Sequence, residues 1–382
     1  MSDMKKTSVH EPLFHLAKRA SISAPKAWLI RLTAIVLGFA ACGVVAFLLI
    51  DKLQEEPGKI KDFYRCFIDG IWSENKALVS NRKLWKFLKN LAILQCISLA
   101  ITPAFRMKFW NIGAEGQTLV SVLGAIAVAF YAGTTIPNWL LLILMFFAAV
   151  ISSIIWATIP AIFKAVWNTN ETLFTLMMNY VATFLVEFFL VIWVKNGSST
   201  LGSLKFTELP SFYHDYFVIV LIALTLSVLL YVYLKHSKHG YEISVVGESV
   251  RTAQYSGINV KKVIIRTMIV SGALCGVAGY LIAAGLDKTV TSSSVGGQGF
   301  TAIMVSWLAK FNPIVMLLTS GLISLLSSGA AEISKDFGVR GALPDVITGI
   351  ILFFIIGSEF FINYKIIKRK KSAIADKGGM IK

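Results

Sequence analysis

The amino-acid sequence specifies an all-α polytopic membrane protein, and three observations carry that reading. Of 382 residues, 56% are hydrophobic and only 15% charged, and the mean hydropathy is +0.70, too apolar for an ordinary water-soluble domain. The apolar residues fall in runs of roughly 18 to 25, the length an α-helix needs to cross ~30 Å of hydrocarbon, whereas a β-barrel would show ~10-residue alternation. The charge excess of +16 collects on alternate loops, the pattern that orients a chain in a bilayer.

In chain order, candidate spans lie near 32–50, 87–105, 117–133, 138–163, 172–194, 216–234, 263–284, 299–310, 312–330 and 343–362, about ten transmembrane helices. The first run follows a polar segment, 1–31, and has no small-residue cleavage site behind it, so it reads as a retained helix. The run at 299–310 is too short to cross as a straight helix and is expected to be a tilted half-helix or a re-entrant piece buried against protein. With the amino terminus in the cytoplasm, cytoplasmic segments carry a net +16, extracytoplasmic segments +3 and the spans −3. Both termini are therefore expected inside. The domain at 32–362 then has an extracytoplasmic insertion at 51–86, read as a loop or small amphipathic cap, and a cytoplasmic loop at 235–262. The basic tail, 363–382, with KIIKRKK at 365–371, fits a cytoplasmic end lying against anionic lipid better than a nucleic-acid patch.

The motifs exclude several chemistries. No phosphate-binding loop is present: the nearest approach, GLDKT at 285–289, lacks the glycine that should precede the lysine. No HExxH, GxSxG or paired-cysteine arrangement occurs, and Cys42, Cys66, Cys96 and Cys275 lie too far apart to suggest a metal or redox site. SGALCGVAG, residues 271–279, spaces small residues along one helix so that a neighbouring backbone can approach closely.

Two stretches break the apolar pattern. In FWNIGAEGQTLV, 109–120, Gly113 and Gly116 weaken the helix while Asn111, Glu115 and Gln117 supply donors and acceptors. This is the composition of a break between half-helices facing a cavity, or equally of a cytoplasmic turn with Glu115 near the positive start of the next helix. VGGQGF, 295–300, contains Gln298 and is a second such break. Five spans separate the two, an odd number that would invert one element against the other, so a 5+5 inverted repeat is expected. Among polar residues within spans, Asn179 is set to face a substrate or a neighbouring helix, Asp345 and Glu359 lie at span ends, and Glu187 has no simple structural excuse. The segment 235–266, with Val245, Val246, Val250 and Ala253 among Glu248, Arg251 and Gln254, reads as a short amphipathic helix closed by Gly257 on the cytoplasmic face.

At these motifs the sequence resembles the permease subunits of ABC importers for simple sugars, and among them the nucleoside branch. The matching stretches are FWNIGAEGQ (109–117), NETLFTLMMNY (170–180), GESVRTAQYSGINVKKVI (247–264), SGALCGVAG (271–279), GQGFTAIMVSWLAKFNP (297–313) and LPDVITGIILFFI (343–355), co-linear over about residues 90–362. The sugar branch usually carries an Asp-Leu-Ser-type motif in place of NIGAEGQ, which favours nucleosides. The resemblance implies a multi-pass subunit of the cell membrane with no catalytic site, metal or cofactor of its own and no nucleic-acid partner. It implies a partner ATPase that binds ATP and Mg, a second permease that is a different chain, and an extracytoplasmic binding lipoprotein delivering nucleoside. It assigns ATPase coupling to Gly247, Glu248, Arg251, Ala253, Tyr255 and Gly257, and a substrate pathway to Asn111, Glu115, Gln117, Asn179 and Gln298. The 51–86 insertion and the basic tail depart from compact members, and Trp110 and Trp307 stand where smaller apolar residues are usual. A simple-sugar permease and a proton-coupled transporter using Glu187 are the alternatives.

Overall fold

The computed structural model describes residues 14–19, 22–72, 81–194, 201–204, 214–339 and 343–368. They divide into two compact units, one comprising residues up to 65 and from 333, the other residues 66–332.

In the first unit, α1 (Ala24–Leu49) and α14 (Leu343–Asn363) pack antiparallel. Arg31 donates to Glu359 Oε1 and the Cys42 thiol meets the Ile347 carbonyl at 3.4 Å. At the end where α14 closes, β1 (Phe14–Lys18) pairs antiparallel with β2 (Tyr364–Lys368), with Leu16 opposite Ile366. This two-stranded sheet qualifies the all-α expectation and brings the two chain ends to one side of the unit. It also gives the first residues of the basic tail a backbone partner; residues 369–382 lie outside the described residues. The insertion at 51–86 is helical where described: α2 (Asp51–Glu55), a 3-10 turn at Pro57–Lys59 and α3 (Ile60–Asp69). Phe63, Cys66 and Phe67 on α3 are buried at helical spacing while Lys61 and Asp62 are exposed, an amphipathic helix. Residues 73–80 of that insertion are outside the described set.

The second unit holds α4 (Arg82–Arg106), α5 (Ala114–Ala132), α6 (Asn138–Trp167), α7 (Glu171–Trp193), α8 (Phe217–His236), α9 (Lys238–Glu248), α10 (Val250–Tyr255), α11 (Val260–Ile282), α12 (Gln298–Leu308) and most of α13 (Pro313–Asp336). Polar side chains set the helix starts: Asn81, Asn170, Ser237, Ser249 and Asn259 each accept from backbone N–H groups of the first turn of α4, α7, α9, α10 and α11. The glycine stripe of α11 does what its spacing foretells. A Cβ on Gly276 would lie 2.6 Å from Val150 Cα of α6, and one on Gly279 2.7 Å from the Thr118 carbonyl of α5. Among the described residues nine helices are long and apolar enough to cross a membrane. The run at 299–310 is the exception, an 11-residue half-helix, α12, that packs against α4 and α5. All four cysteines are buried free thiols.

Candidate functional site

The first break is a short re-entry. After Arg106 the chain turns through Lys108, whose φ is 60°, and the Phe109 N–H returns to the Ala104 carbonyl. Asn111 is fully buried and organises the start of α5: its Oδ1 accepts from Gly113 N at 3.0 Å and Gln117 Nε2 at 3.1 Å, and its Nδ2 donates to Gln117 Oε1 and Ser271 Oγ, each at 3.3 Å. Asn179 of α7 grips the same loop, donating to the Ile112 carbonyl at 3.0 Å and accepting from Gly116 N at 2.9 Å, and Thr175 Oγ1 accepts from Ile112 N. Gly116 is glycine because a Cβ there would sit 2.9 Å from Asn179 Cα. Thr175 and Asn179 lie four and eight residues into α7, so α5 begins about 6 to 12 Å along that helix from its start, at ~1.5 Å per residue. The helix start is thus set into the bundle rather than at its edge. The three amides expected to line a pathway, Asn111, Gln117 and Asn179, are brought together, and in this conformation they hydrogen-bond to the protein itself.

Glu115 ties this break to the second one. Past α11 the chain makes a π-helical turn at Ala283–Asp287 and a loop that ends in two left-handed glycines, Gly296 and Gly297, with φ of 62° and 77°; these conformations favour residues without a Cβ. Glu115 Oε1 then accepts from Gly297 N at 2.8 Å and Oε2 from Gly299 N at 2.7 Å. Neither α5 nor α12 has a side-chain cap of its own N-cap residue, so one carboxylate in the first turn of α5 caps α12. The contact is close enough that a Cβ on Gly299 would meet Glu115 Cα at 2.7 Å. Beside the junction, Gln298 Oε1 is buried without a hydrogen-bond partner among the described residues. Away from the start of α12, Trp110 and Trp307 are 42% and 52% exposed, with ring centroids 5.4 Å apart and Phe105 supporting Trp110 edge-on.

The 238–255 segment folds as two short helices rather than one. Ser249 leaves the helical region and caps α10, and Gly257, at φ 75°, ends it. Gly247 packs against the Arg106 carbonyl at the end of α4 and Ala253 is buried, whereas Glu248, Arg251, Tyr255 and Gly257 are exposed, Tyr255 by 92%. Val250, expected on the apolar face, is exposed too, because the turn at Ser249 rotates α10 away from the register of α9. An Arg266–Glu242 ion pair at 2.7 Å anchors α9 to α11, and the hydrogen bond from Arg266 holds the Glu242 carboxyl below the usual carboxylate range. Between this segment and the ends of α4, α6, α7 and α11 lies a groove of about 580 Å³, bordered by Lys108, Lys164, Glu171, Glu248 and Lys261.

Other candidates separate. Glu187 is exposed on α7 beside Phe184 and Phe188, Glu359 is held by Arg31, and the Asp345 side chain lies outside the described residues. Sequence reasoning missed Thr175, Ser271 and the Gly297 and Gly299 amides. The small-residue spacing around Ser271 pointed to packing, and a backbone donor leaves no mark of its own in a sequence.

Comparison with known proteins bears on this geometry. A family model described as branched-chain amino acid transport system / permease component matches residues 84–356. The guanosine ABC transporter permease protein NupP of Bacillus subtilis is 27% identical, over 90% of this chain and 97% of its own length. The glucose ABC transporter permease protein TsgB13 of Haloferax volcanii is 28% identical over 76% and 80%, and the nucleoside ABC transporter permease protein NupB of Lactococcus lactis 27% over 77% and 84%. With the matched region containing both helix breaks, the half-helix and the 247–257 segment, the chain belongs to the branched-chain amino acid transport system / permease component family, as a multi-pass membrane permease.

Proposed function

We propose that the chain is the permease subunit of an ABC importer that carries nucleosides across the cell membrane, working by alternating access with a second permease, an extracytoplasmic binding lipoprotein and a separate ATPase that binds ATP and Mg. The observation that carries the reading is the near full-length likeness to a permease named for guanosine. The junction suits such a cargo. Its hydrogen-bonding side chains are amides and hydroxyls, and its single carboxylate is matched by two backbone donors. The exposed faces of Trp110 and Trp307 offer stacking surface to a base, worth about 1–3 kcal/mol per base where such contacts form.

In this reading the two breaks belong to halves of a 5+5 inverted repeat, both termini are cytoplasmic, and the ATPase grips the exposed knob of Glu248, Arg251 and Tyr255. Because Gly247 and Ala253 seat that knob on α4 and its surroundings, closure of the ATPase is passed on as a rigid-body push. The likeness to a glucose-named permease supports simple-sugar import as the second reading. Uptake of radiolabelled guanosine and of glucose by cells expressing the chain with its partner subunits separates them. Guanosine uptake indifferent to excess glucose is the expected result, and glucose uptake without guanosine uptake overturns the nucleoside reading.

A further inference from the structure

Two helix N-termini converge at the junction of α5 and α12, and each carries a partial positive charge and unsatisfied N–H groups. Such a place binds anions. Here the anion is built in: both oxygens of the Glu115 carboxylate are taken, by Gly297 N at 2.8 Å and Gly299 N at 2.7 Å. The geometry leaves no alternative internal occupant, since neither N-cap glycine carries a side chain and Gln298, the neighbouring polar residue, keeps its Oε1 unpartnered. Glu115 is partly exposed, so the junction borders accessible space.

We propose that Glu115 acts as a specificity-determining counter-anion: it occupies the position a phosphate or carboxylate group would otherwise take, and so confines the route beside it to uncharged substrates. The inference rests on the reading of this junction as part of the substrate route. A neutral nucleoside meets donors and acceptors there without meeting net charge, while a phosphorylated one finds its anion site already filled and a carboxylate in its way. Glycine at 299 is what lets the carboxylate reach, because any side chain there would displace the Glu115 backbone.

The test uses the whole transporter in nanodiscs, with inorganic phosphate as probe and thermal stability as readout at constant ionic strength. The native complex should be indifferent to phosphate. Glu115→Gln keeps the shape and removes the charge, and should gain a phosphate-dependent rise in Tm of several degrees, reproduced by sulfate; Glu115→Asp should stay indifferent. A folded Glu115→Gln complex that ignores both anions overturns the proposal. So does a Glu115→Gln chain that fails to assemble even when phosphate is present throughout purification, because the anion must then stand in for the lost carboxylate. Phosphate binding is read without nucleoside, so its failure leaves the transport reading standing, and absence of guanosine uptake by the native complex bears on the transport reading alone.

Discussion

Asn179 shows how a single amide can hold a re-entrant backbone in place. It serves the Gly116 N–H in the first turn of α5, which is buried, and the part-buried Ile112 C=O of the loop before it. Replacing it by leucine of similar volume strands both, and each buried orphan costs about 1–3 kcal/mol. Asn179→Leu is therefore expected to lower the Tm of the purified complex by several degrees, with the loss concentrated in faster amide exchange at residues 112–117. A variant as stable as the native chain would mean that Asn111 and Thr175 suffice to hold the loop. The sequence displayed these residue types and their membership of a break, since amides and glycines in an apolar run are conspicuous. It did not display their partners. Asn111 meets Ser271 across 160 positions, and Glu115 looked like either a cavity residue or a local cap because its hydrogen-bond donor is a backbone amide 182 residues away.

Helix pairs in this protein are fitted by small residues, and the fit differs from one pair to the next. On α11 a Cβ at Gly276 would meet the backbone of α6, which cannot yield as a flexible side chain can. Gly276→Val should destabilise by at least the ~1–3 kcal/mol typical of overpacking. On α14 nothing lies within 4 Å of a Cβ at Gly349, so Gly349→Ala should be neutral or stabilise by up to ~1 kcal/mol through helix propensity. Thermal melts of the two variants check the pair, and an equal loss in both would refute the packing account. The α9–α11 contact is electrostatic instead. Arg266 lowers the folded-state pKa of Glu242, so the ion pair stabilises α9 fully above the ordinary carboxylate value of 4.5 and loses that contribution as the pH falls through the lowered folded value. Protection of α9 amides should accordingly decline in that acidic window and not at neutral pH, and Glu242→Gln should abolish the dependence. Helix existence was readable because ~20-residue apolar runs are a strong signal. The division of the 238–255 segment into two helices was not, since it turns on one serine capping the second.

In the molecule as a whole, the knob of α9 and α10 is seated on the end of α4, and that union is where the chain would take up mechanical work. Its membrane architecture followed from composition; the pairing of residues 14–18 with 364–368 did not, because an antiparallel contact across nearly the whole chain leaves no periodic trace in either strand. The knob offers a sharper test of the transport reading, because its residues divide into those that seat it and those that project. Arg251 and Tyr255 project, so their substitution should change global stability by no more than ~0.5 kcal/mol. Gly247 seats it: a side chain there collides with the Arg106 carbonyl and should lower stability and coupling together. Arg251→Glu reverses a charge at the surface the ATPase is proposed to grip, where unlike juxtaposition steers partners and like juxtaposition repels them. A loss of about tenfold in ATPase affinity, equivalent to ~1.4 kcal/mol, is expected, with a matching fall in nucleoside-stimulated ATP hydrolysis and no change in Tm. Affinity measured by co-purification titration, set beside melting curves of the same samples, distinguishes the cases. If Arg251→Glu binds the ATPase and drives uptake as the native chain does, the coupling surface lies elsewhere; if it loses binding only along with stability, the knob is a structural element and not a lever.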